Sequence, residues 1–332
     1  MKTLFNVTVG LTLLTVLGLL PSCGGKSNSD NPNGEEKLPY EEEKLPYEEV
    51  AKVFAADESL SPVINEELDA YRMRRKGLAI HNVYTNEYDA VDMLVNRRTW
   101  LVFTTRQLTP NEKQILSDRQ LKPKVMPLAY DGMALIVNKD NPDSIIAAND
   151  FARIISGEIS CWNELDSSLP NDTIRVAFDN PKSATYRFCN DSILRGKEMK
   201  TTGNIRAVQT SREVIDYVEK HRDAMGIIGS LWLNDQRDTT NAVYGRSIKV
   251  LNVSKADVAT PANSYDPSQY NIAYDNYPFI RTVYAIVTDP RSNGEARGLG
   301  NFCILPDGQL VFFHAGLFPA RAEYSVRDVV IH

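Results

Sequence analysis

The pattern of apolar and polar positions first sets the start of the chain apart. Leu4 to Leu20 is almost wholly apolar and follows one basic residue, Lys2. That run suits a signal peptide and is short for a membrane span. From about residue 50 short apolar runs alternate with helical spacings. Val50–Phe54, Leu78–Ile80, Leu101–Phe103, Ala134–Val137, Ile174–Phe178, Gly226–Gly229 and Val283–Val287 read as strands. Ser61-Pro62 opens a helix with Ile64, Leu68 and Tyr71 on one face, proline taking the first position where a missing N–H costs nothing. Thr109-Pro110-Asn111-Glu112 joins a capping box to a proline at the helix start. Phe151, Ile154 and Ile155 mark a short helix closed by Gly157, and Ser183–Leu194 reads as another. Thr210-Ser211-Arg212-Glu213 has the form of a second capping box, followed by Val214, Tyr217, Val218 and His221 at helical spacing. Leu299–Leu305 and Leu310–Phe313 are helical pieces ending at Gly316, a left-handed cap. Alternating strands and helices predict an α/β fold with parallel-rich sheets.

The apolar leader ends at Leu20-Pro21-Ser22-Cys23. Small residues before a cysteine resemble a bacterial lipobox, although Pro21 is unusual there. Residues 1–22 are therefore expected to be a signal peptide and Cys23 the site of lipid attachment, which places the protein in a bacterial cell envelope, facing the periplasm or the surface. Residues 23–49 read as a flexible tether. They carry a tandem heptapeptide, Glu35-Glu36-Lys37-Leu38-Pro39-Tyr40-Glu41 and Glu42-Glu43-Lys44-Leu45-Pro46-Tyr47-Glu48. Two copies are too few for a solenoid, and the glutamates and prolines favour an extended spacer over a partner-binding motif.

Composition narrows the class. At 332 residues, two packed units are the prior expectation, and 42% hydrophobic with 24% charged residues is globular. A net charge of −6 lacks the basic face that nucleic acid needs, although a local pocket can still oppose it. Beyond Cys23 there are Cys161, Cys189 and Cys303 with no C-x-x-C, so at least one thiol is unpaired. The four histidines, His81, His221, His314 and His332, form no metal motif. Neither a G-x-S-x-G elbow nor a Walker loop is present. No catalytic residue, metal or cofactor is therefore expected.

What remains is a set of hydroxyl-bearing turns that enter helices. A helix start leaves N–H groups unpaired and carries partial positive charge, so it suits an oxyanion, and Ser or Thr adds O–H donors. Three turns fit: Asp57-Glu58-Ser59-Leu60-Ser61-Pro62, Phe103-Thr104-Thr105-Arg106 and Asn180-Pro181-Lys182-Ser183-Ala184-Thr185. Each alone is explained as well by ordinary capping. Together, each after a short apolar strand, they mark Ser59, Thr105, Arg106, Asp179, Ser183, Ala184 and Thr185 as candidate ligand-binding residues.

The order of segments resembles the phosphate-binding family of type II periplasmic binding proteins. Pro127 to Asn138 resembles the first crossover strand, and Phe151 to Leu165, with Trp162 and Leu165, a helix followed by a W-x-x-L segment. Ser183-Ala184-Thr185 stands where the family has Gly-Ser-Gly-Thr, Ala224–Gly229 resembles a later strand, and Tyr277-Pro278-Phe279-Ile280-Arg281 the return crossover. The resemblance implies two lobes joined by a two-strand hinge, one from residues 50–131 and 280–332, the other from 132–279. It also implies a monomer that takes phosphate or a similar oxyanion in the interlobe cleft and delivers it to an ABC transporter permease. Lys182 and Ala184 replace the turn glycines, Asp179 stands at a family arginine, and Arg106 where some members carry aspartate. Arg106 and Asp179 are thus expected to face each other with reversed polarity, or else Arg106 is a solvated turn residue and Asp179 a local cap. The rival reading is a surface interaction lipoprotein that keeps the fold without a ligand.

Overall fold

A computed structural model describes residues 45–321 except 79, 201–202 and 234–246. The expected signal peptide, Cys23, the first heptapeptide copy and the last residues lie outside the described part. The chain begins with α1 (Tyr47–Val50), β1 (Val53–Asp57), α2 (Ser61–Arg74), β2 (His81–Thr85), α3 (Glu87–Val95), β3 (Leu101–Thr104) and α4 (Pro110–Asp118). It continues through β4 (Lys124–Asn138), β5 (Ile145–Ala147), α5 (Ala148–Ile155), β6 (Arg175–Phe178), α6 (Ala184–Phe188), β7 (Ile205–Ala207), α7 (Ser211–Lys220) and β8 (Ala224–Gly229). Then come β9 (Ile248–Val250), β10 (Asn252–Ser254), β11 (Ser264–Tyr265) and β12 (Ile280–Val287), followed by helices Glu295–Phe302 and Pro306–His314.

The strand order is β2-β1-β3-β12-β4-β8-β6-β7. β1 lies parallel between β2 and β3, and β6 lies parallel between β7 and β8. The two parallel groups meet through β4. Its first half, Lys124 to Gly132, pairs antiparallel with β12, and its second half, Met133 to Val137, with β8. The chain therefore passes between the halves twice, side by side: Gly132 is opposite Ile280, and Met133 N–H donates to Phe279 O at 2.8 Å. This is the two-lobed α/β architecture with a two-strand hinge.

Each half has its own apolar interior. One core gathers Leu60, Leu68, Leu94, Leu101, Phe103, Leu128, Val283 and Phe312. A second gathers Leu135, Phe151, Phe178, Phe188 and Tyr277, and a third, on Ala134 and Ile136, packs α7 through Val214 and Val218. Side chains of this size each contribute about 1.5–3 kcal/mol on full burial. β4 from Gly132 to Asn138 is buried throughout, which is why its residues read as a continuous apolar run.

Several boundaries differ from the sequence reading, each for a local reason. The strand expected at Val50–Phe54 begins at Val53, because Tyr47–Val50 is a short helix that buries Val50. The strand expected at Leu78–Ile80 starts instead at His81, in register with Val53 on β1. β4 extends well before Ala134, where Lys124 and Pro127 are exposed and break the apolar signal. The helix at Ser183 widens to a π-helical turn over Cys189–Ile193. The caps at Thr109 and Gly316 (φ +87°) form as expected. Thr210 caps α7, while Glu213 reaches back to Gln209 N–H rather than to Thr210.

The spacer expected to run to Glu49 ends earlier. Tyr47, from the second heptapeptide copy, stacks on Trp100 at 5.9 Å and donates its hydroxyl to Asp289 Oδ1 at 3.0 Å. Arg291 lies 3.6 Å over the Tyr47 ring and pairs with Glu48 at 2.7 Å. Proline at 46 holds the chain extended just before this seat.

Candidate functional site

The ends of β1, β3 and β6 point at one another where the two lobes meet. β1 ends in Asp57, which leads into a 3-10 turn, Glu58–Leu60. Asp57 Oδ1 accepts from Ser59 N–H at 3.0 Å and from the Ser59 hydroxyl. Its other oxygen crosses to the opposite lobe and accepts from Ala184 N–H at 3.2 Å. Glu58 crosses as well, accepting from Ser211 N–H at 3.1 Å and Ser211 Oγ at 2.9 Å at the start of α7.

β6 ends in Asp179. Its carboxylate accepts from Ser183 Oγ at 2.5 Å and from Thr185 Oγ1 at 3.1 Å. Ser183 is also the N-cap of α6, accepting from Tyr186 N–H at 3.1 Å. This turn uses side-chain oxygens of a kind that fill helix starts everywhere.

At the end of β3, Thr104 and Thr105 surround Glu87, the first residue of α3. Thr104 Oγ1, Thr105 N–H and Thr105 Oγ1 all donate to Glu87 Oε1 at 2.8–2.9 Å. Arg187 reaches from α6 across the lobes, donating from Nε to Glu87 Oε2 at 2.5 Å. Its Nη2 also meets Thr105 Oγ1 at 2.9 Å.

Arg281 stands behind these turns, on the hinge. Its Nε and Nη2 lie 2.9 and 2.8 Å from Asp131 Oδ2, and Nη2 donates to Ser59 Oγ at 3.1 Å. Arg281 is 3% exposed, yet its Nη1 is a buried donor with no hydrogen-bond partner. Buried guanidinium donors are almost always matched, so this nitrogen is the site's one conspicuous unmet donor among the described residues.

The electrostatics follow from crowding. Asp57, Glu58, Glu87, Asp131 and Asp179 face Arg187 and Arg281, so carboxylates outnumber guanidiniums. Burial, then the charge of Glu87, raises the Asp57 carboxyl above its ordinary range. Burial likewise raises Glu58. Burial, with Asp57 beside it, pushes Asp179 up to about 8. Glu87 differs: burial works to raise it, but the Arg187 guanidinium and the Thr105 and Thr104 donors hold it below the usual range. Burial also works against the charge of Arg281, and Asp131 and Asp57 more than offset this.

Ser59, Thr105, Asp179, Ser183, Ala184 and Thr185 thus all lie at the meeting of the lobes. Arg106 reaches the edge of this network, its Nε 4.0 Å from Glu87 Oε2, but does not pair with Asp179 as expected. It forks Glu112 with two bonds of 2.8 and 2.7 Å, clamping the first turn of α4, and the cation that faces Asp179 is Arg281. The reason is proximity: Glu112 is six residues from Arg106 and already turned toward it by the capping box. Asp57, Glu58, Glu87, Arg187, Asp131 and Arg281 join the site without any local sequence signal that marks them as site groups. Asp57 and Glu58 open a turn singled out for its serines. Asp131 and Arg281 occur in the two crossover segments, but a sequence does not mark a charge as buried.

Among the described residues no group of His, Cys, Asp or Glu is arranged to hold a metal ion, and the three cysteines are free thiols. No described helix is long and apolar enough to cross a membrane.

Known proteins resemble this chain in sequence and in fold. The phosphate-binding protein PstS of Staphylococcus haemolyticus is 23% identical over 284 residues, covering 85% of this chain and 81% of that protein. A structure described as a phosphate ABC transporter substrate-binding protein from Clostridium perfringens, with bound phosphate, superposes with a TM-score of 0.67 at 18% identity, over 81% of this chain and 99% of that one. An ABC-type phosphate transport receptor from Vibrio cholerae superposes with a TM-score of 0.60 at 16% identity, over 80% and 98%. The family model described as the PBP superfamily domain matches residues 45–305, and the chain belongs to that superfamily.

Proposed function

We propose that this protein captures phosphate, or a similar oxyanion, between its lobes and delivers it to an ABC importer. The observation that carries the reading is the buried, unmatched Nη1 of Arg281, a residue whose Nη2 donates to Ser59 Oγ beside the Asp57 carboxylate that joins Ser59 to Ala184 of the other lobe. A guanidinium fork with nearby hydroxyl and backbone donors is the chemistry that holds tetrahedral oxyanions. Relatives whose names specify phosphate point the same way. The role is binding rather than catalysis. The ligand-contacting set in this reading is Ser59, Ser183, Ala184 and Thr185 with Arg281; Thr105 and Asp179 hold the surrounding network.

The reading includes lobes formed by residues 50–131 with 280–332 and by residues 132–279, acting as a monomer. It also includes lipid attachment at Cys23 after removal of residues 1–22. Calorimetric titration with phosphate and with sulfate tests the ligand: saturable phosphate binding lost in Arg281→Ala is the expected result, and heat of neither anion would sink the reading. Membrane fractionation tests the anchor, since Cys23→Ala should leave the membrane fraction.

A second reading has one specific observation in its favour. The hydroxyl and amide donors of the cleft are engaged by the chain's own carboxylates, as a binding protein that had lost its ligand would show. A surface lipoprotein of this kind would bind neither anion at any pH.

A further inference from the structure

Three carboxylates of the first lobe occupy donors of the second. Asp57 takes Ala184 N–H, Glu58 takes the N–H and hydroxyl of Ser211, and Glu87 takes Arg187. Backbone N–H groups, serine hydroxyls and guanidinium nitrogens are the donors an oxyanion uses. Of the three, Asp57 is the one inside the proposed ligand site. It bridges Ala184 on one side and Ser59 on the other, and Ser59 accepts from Arg281.

Resting on the oxyanion-binding reading, we propose that Asp57 is a built-in stand-in for the ligand: its carboxylate holds the lobes together, and an oxyanion must displace it to bind. Asp57 then sets the affinity of the site without contributing to it.

Two further observations support this. Asp57 is 1% exposed, so its carboxylate has no water shell to fall back on and depends on the cross-lobe contact. Its surroundings also hold it weakly. Arg281 is attractive, but Glu87 and Glu58 repel it, and burial raises its carboxyl pKa. Glu87, by contrast, has Arg187 and three further donors, which suits a permanent fastening rather than a displaceable one.

The energetic consequence is a tax on binding. If the ligand-competent state is a small fraction of the population, the apparent dissociation constant rises by the inverse of that fraction. Removing the stand-in should remove the tax.

Phosphate titration of the full chain and of Asp57→Ala, with small-angle scattering of both, tests the proposal. Phosphate affinity should rise by about tenfold or more in Asp57→Ala. The ligand-free variant should be more extended than the wild type and contract when phosphate is added. Asp57→Asn keeps the shape and the cap on Ser59 while removing the charge, so it should shift both readouts the same way by less, and it serves if the alanine variant does not fold. Unchanged or weaker phosphate binding in both variants overturns the proposal, as does a wild type already as extended as Asp57→Ala. Expansion of Asp57→Ala with no anion bound by any of the three proteins sinks the oxyanion reading and leaves closure by Asp57 standing.

Discussion

Arg281 and Asp131 face each other in register on the two strands that cross between the lobes, and both Nε and Nη2 of the arginine address one oxygen, Asp131 Oδ2. Ser230 Oγ takes the other oxygen at 2.8 Å. The pair is almost wholly enclosed, with side-chain exposures of 1% and 0%. It therefore holds the guanidinium in place, with Nη2 also on Ser59 and Nη1 left unmatched, while fastening the hinge strands to each other.

Gly229 makes this arrangement possible. A Cβ there would lie 2.7 Å from both Arg281 Nη2 and Asp131 Oδ2. Gly229→Ala should push the guanidinium off its present line, weaken phosphate binding and cost about 1–3 kcal/mol of stability, as overpacking does. Titration calorimetry and urea unfolding read the two effects separately. Equal phosphate affinity in the variant would show that the aim of Arg281 does not matter.

Glu87 and Arg187 are 100 positions apart and join the lobes at 2.5 Å. Arg187→Ala takes from buried Glu87 its hydrogen-bonded cation and leaves only Arg106, 4.0 Å away, and hydrogen bonds to charged groups are worth about 1.5–3 kcal/mol. The loss should appear in the urea midpoint. Arg187→Lys should recover only part of it, because one ammonium does not reproduce the planar fork that reaches both Glu87 and Thr105. Full recovery by lysine would reduce the contact to simple charge.

How much of this was legible before the structure depends on what kind of signal each residue leaves. β3, β6 and β8 were readable because buried parallel strands are continuous apolar runs, and the caps at Thr109 and Ser183 because capping is local chemistry. The three turns were visible as hydroxyl-rich helix entries for the same reason. Arg106 turns to Glu112, six residues on, rather than to Asp179, because a fork to a near neighbour in the chain forms more readily than a pair across the cleft. Arg281, Asp131, Glu87 and Arg187 act through partners about a hundred or more positions away, and nothing in local spacing predicts such pairs.

Glu67 is a buried acid without a role in the site. It is fully buried on α2, no N–H or O–H donor reaches either carboxyl oxygen, and the adjacent Cys303 thiol is only a weak donor. Burial holds its carboxyl well above the usual range. Replacing it with the similarly sized, apolar methionine should stabilise the fold by about 1–4 kcal/mol at pH 8–9, within the range seen when buried charges give way to apolar groups. Urea unfolding of Glu67→Met at two pH values checks this, and a destabilised variant would mean Glu67 has a partner that matters.

Asp179 offers a pH test of the cleft itself. Burial and the neighbouring Asp57 raise its pKa to about 8, against an ordinary value near 4 in the unfolded chain. The folded state therefore holds a proton that the unfolded state has released across that window. Stability from this group is fully present below the unfolded value and falls as pH rises through about 8, by at most about 1.4 kcal/mol per pH unit. Glu67 slopes the same way, so the wild-type curve alone does not isolate Asp179. The comparison with Asp179→Asn does, because the amide keeps an acceptor for Ser183 or Thr185 but does not titrate. Between pH 6 and 9 the wild type should lose more stability than Asp179→Asn, and its phosphate affinity should fall more as a second negative charge appears beside the ligand. Parallel curves for the two proteins would mean that Asp179 is ionised throughout, held by its two hydroxyl donors despite burial.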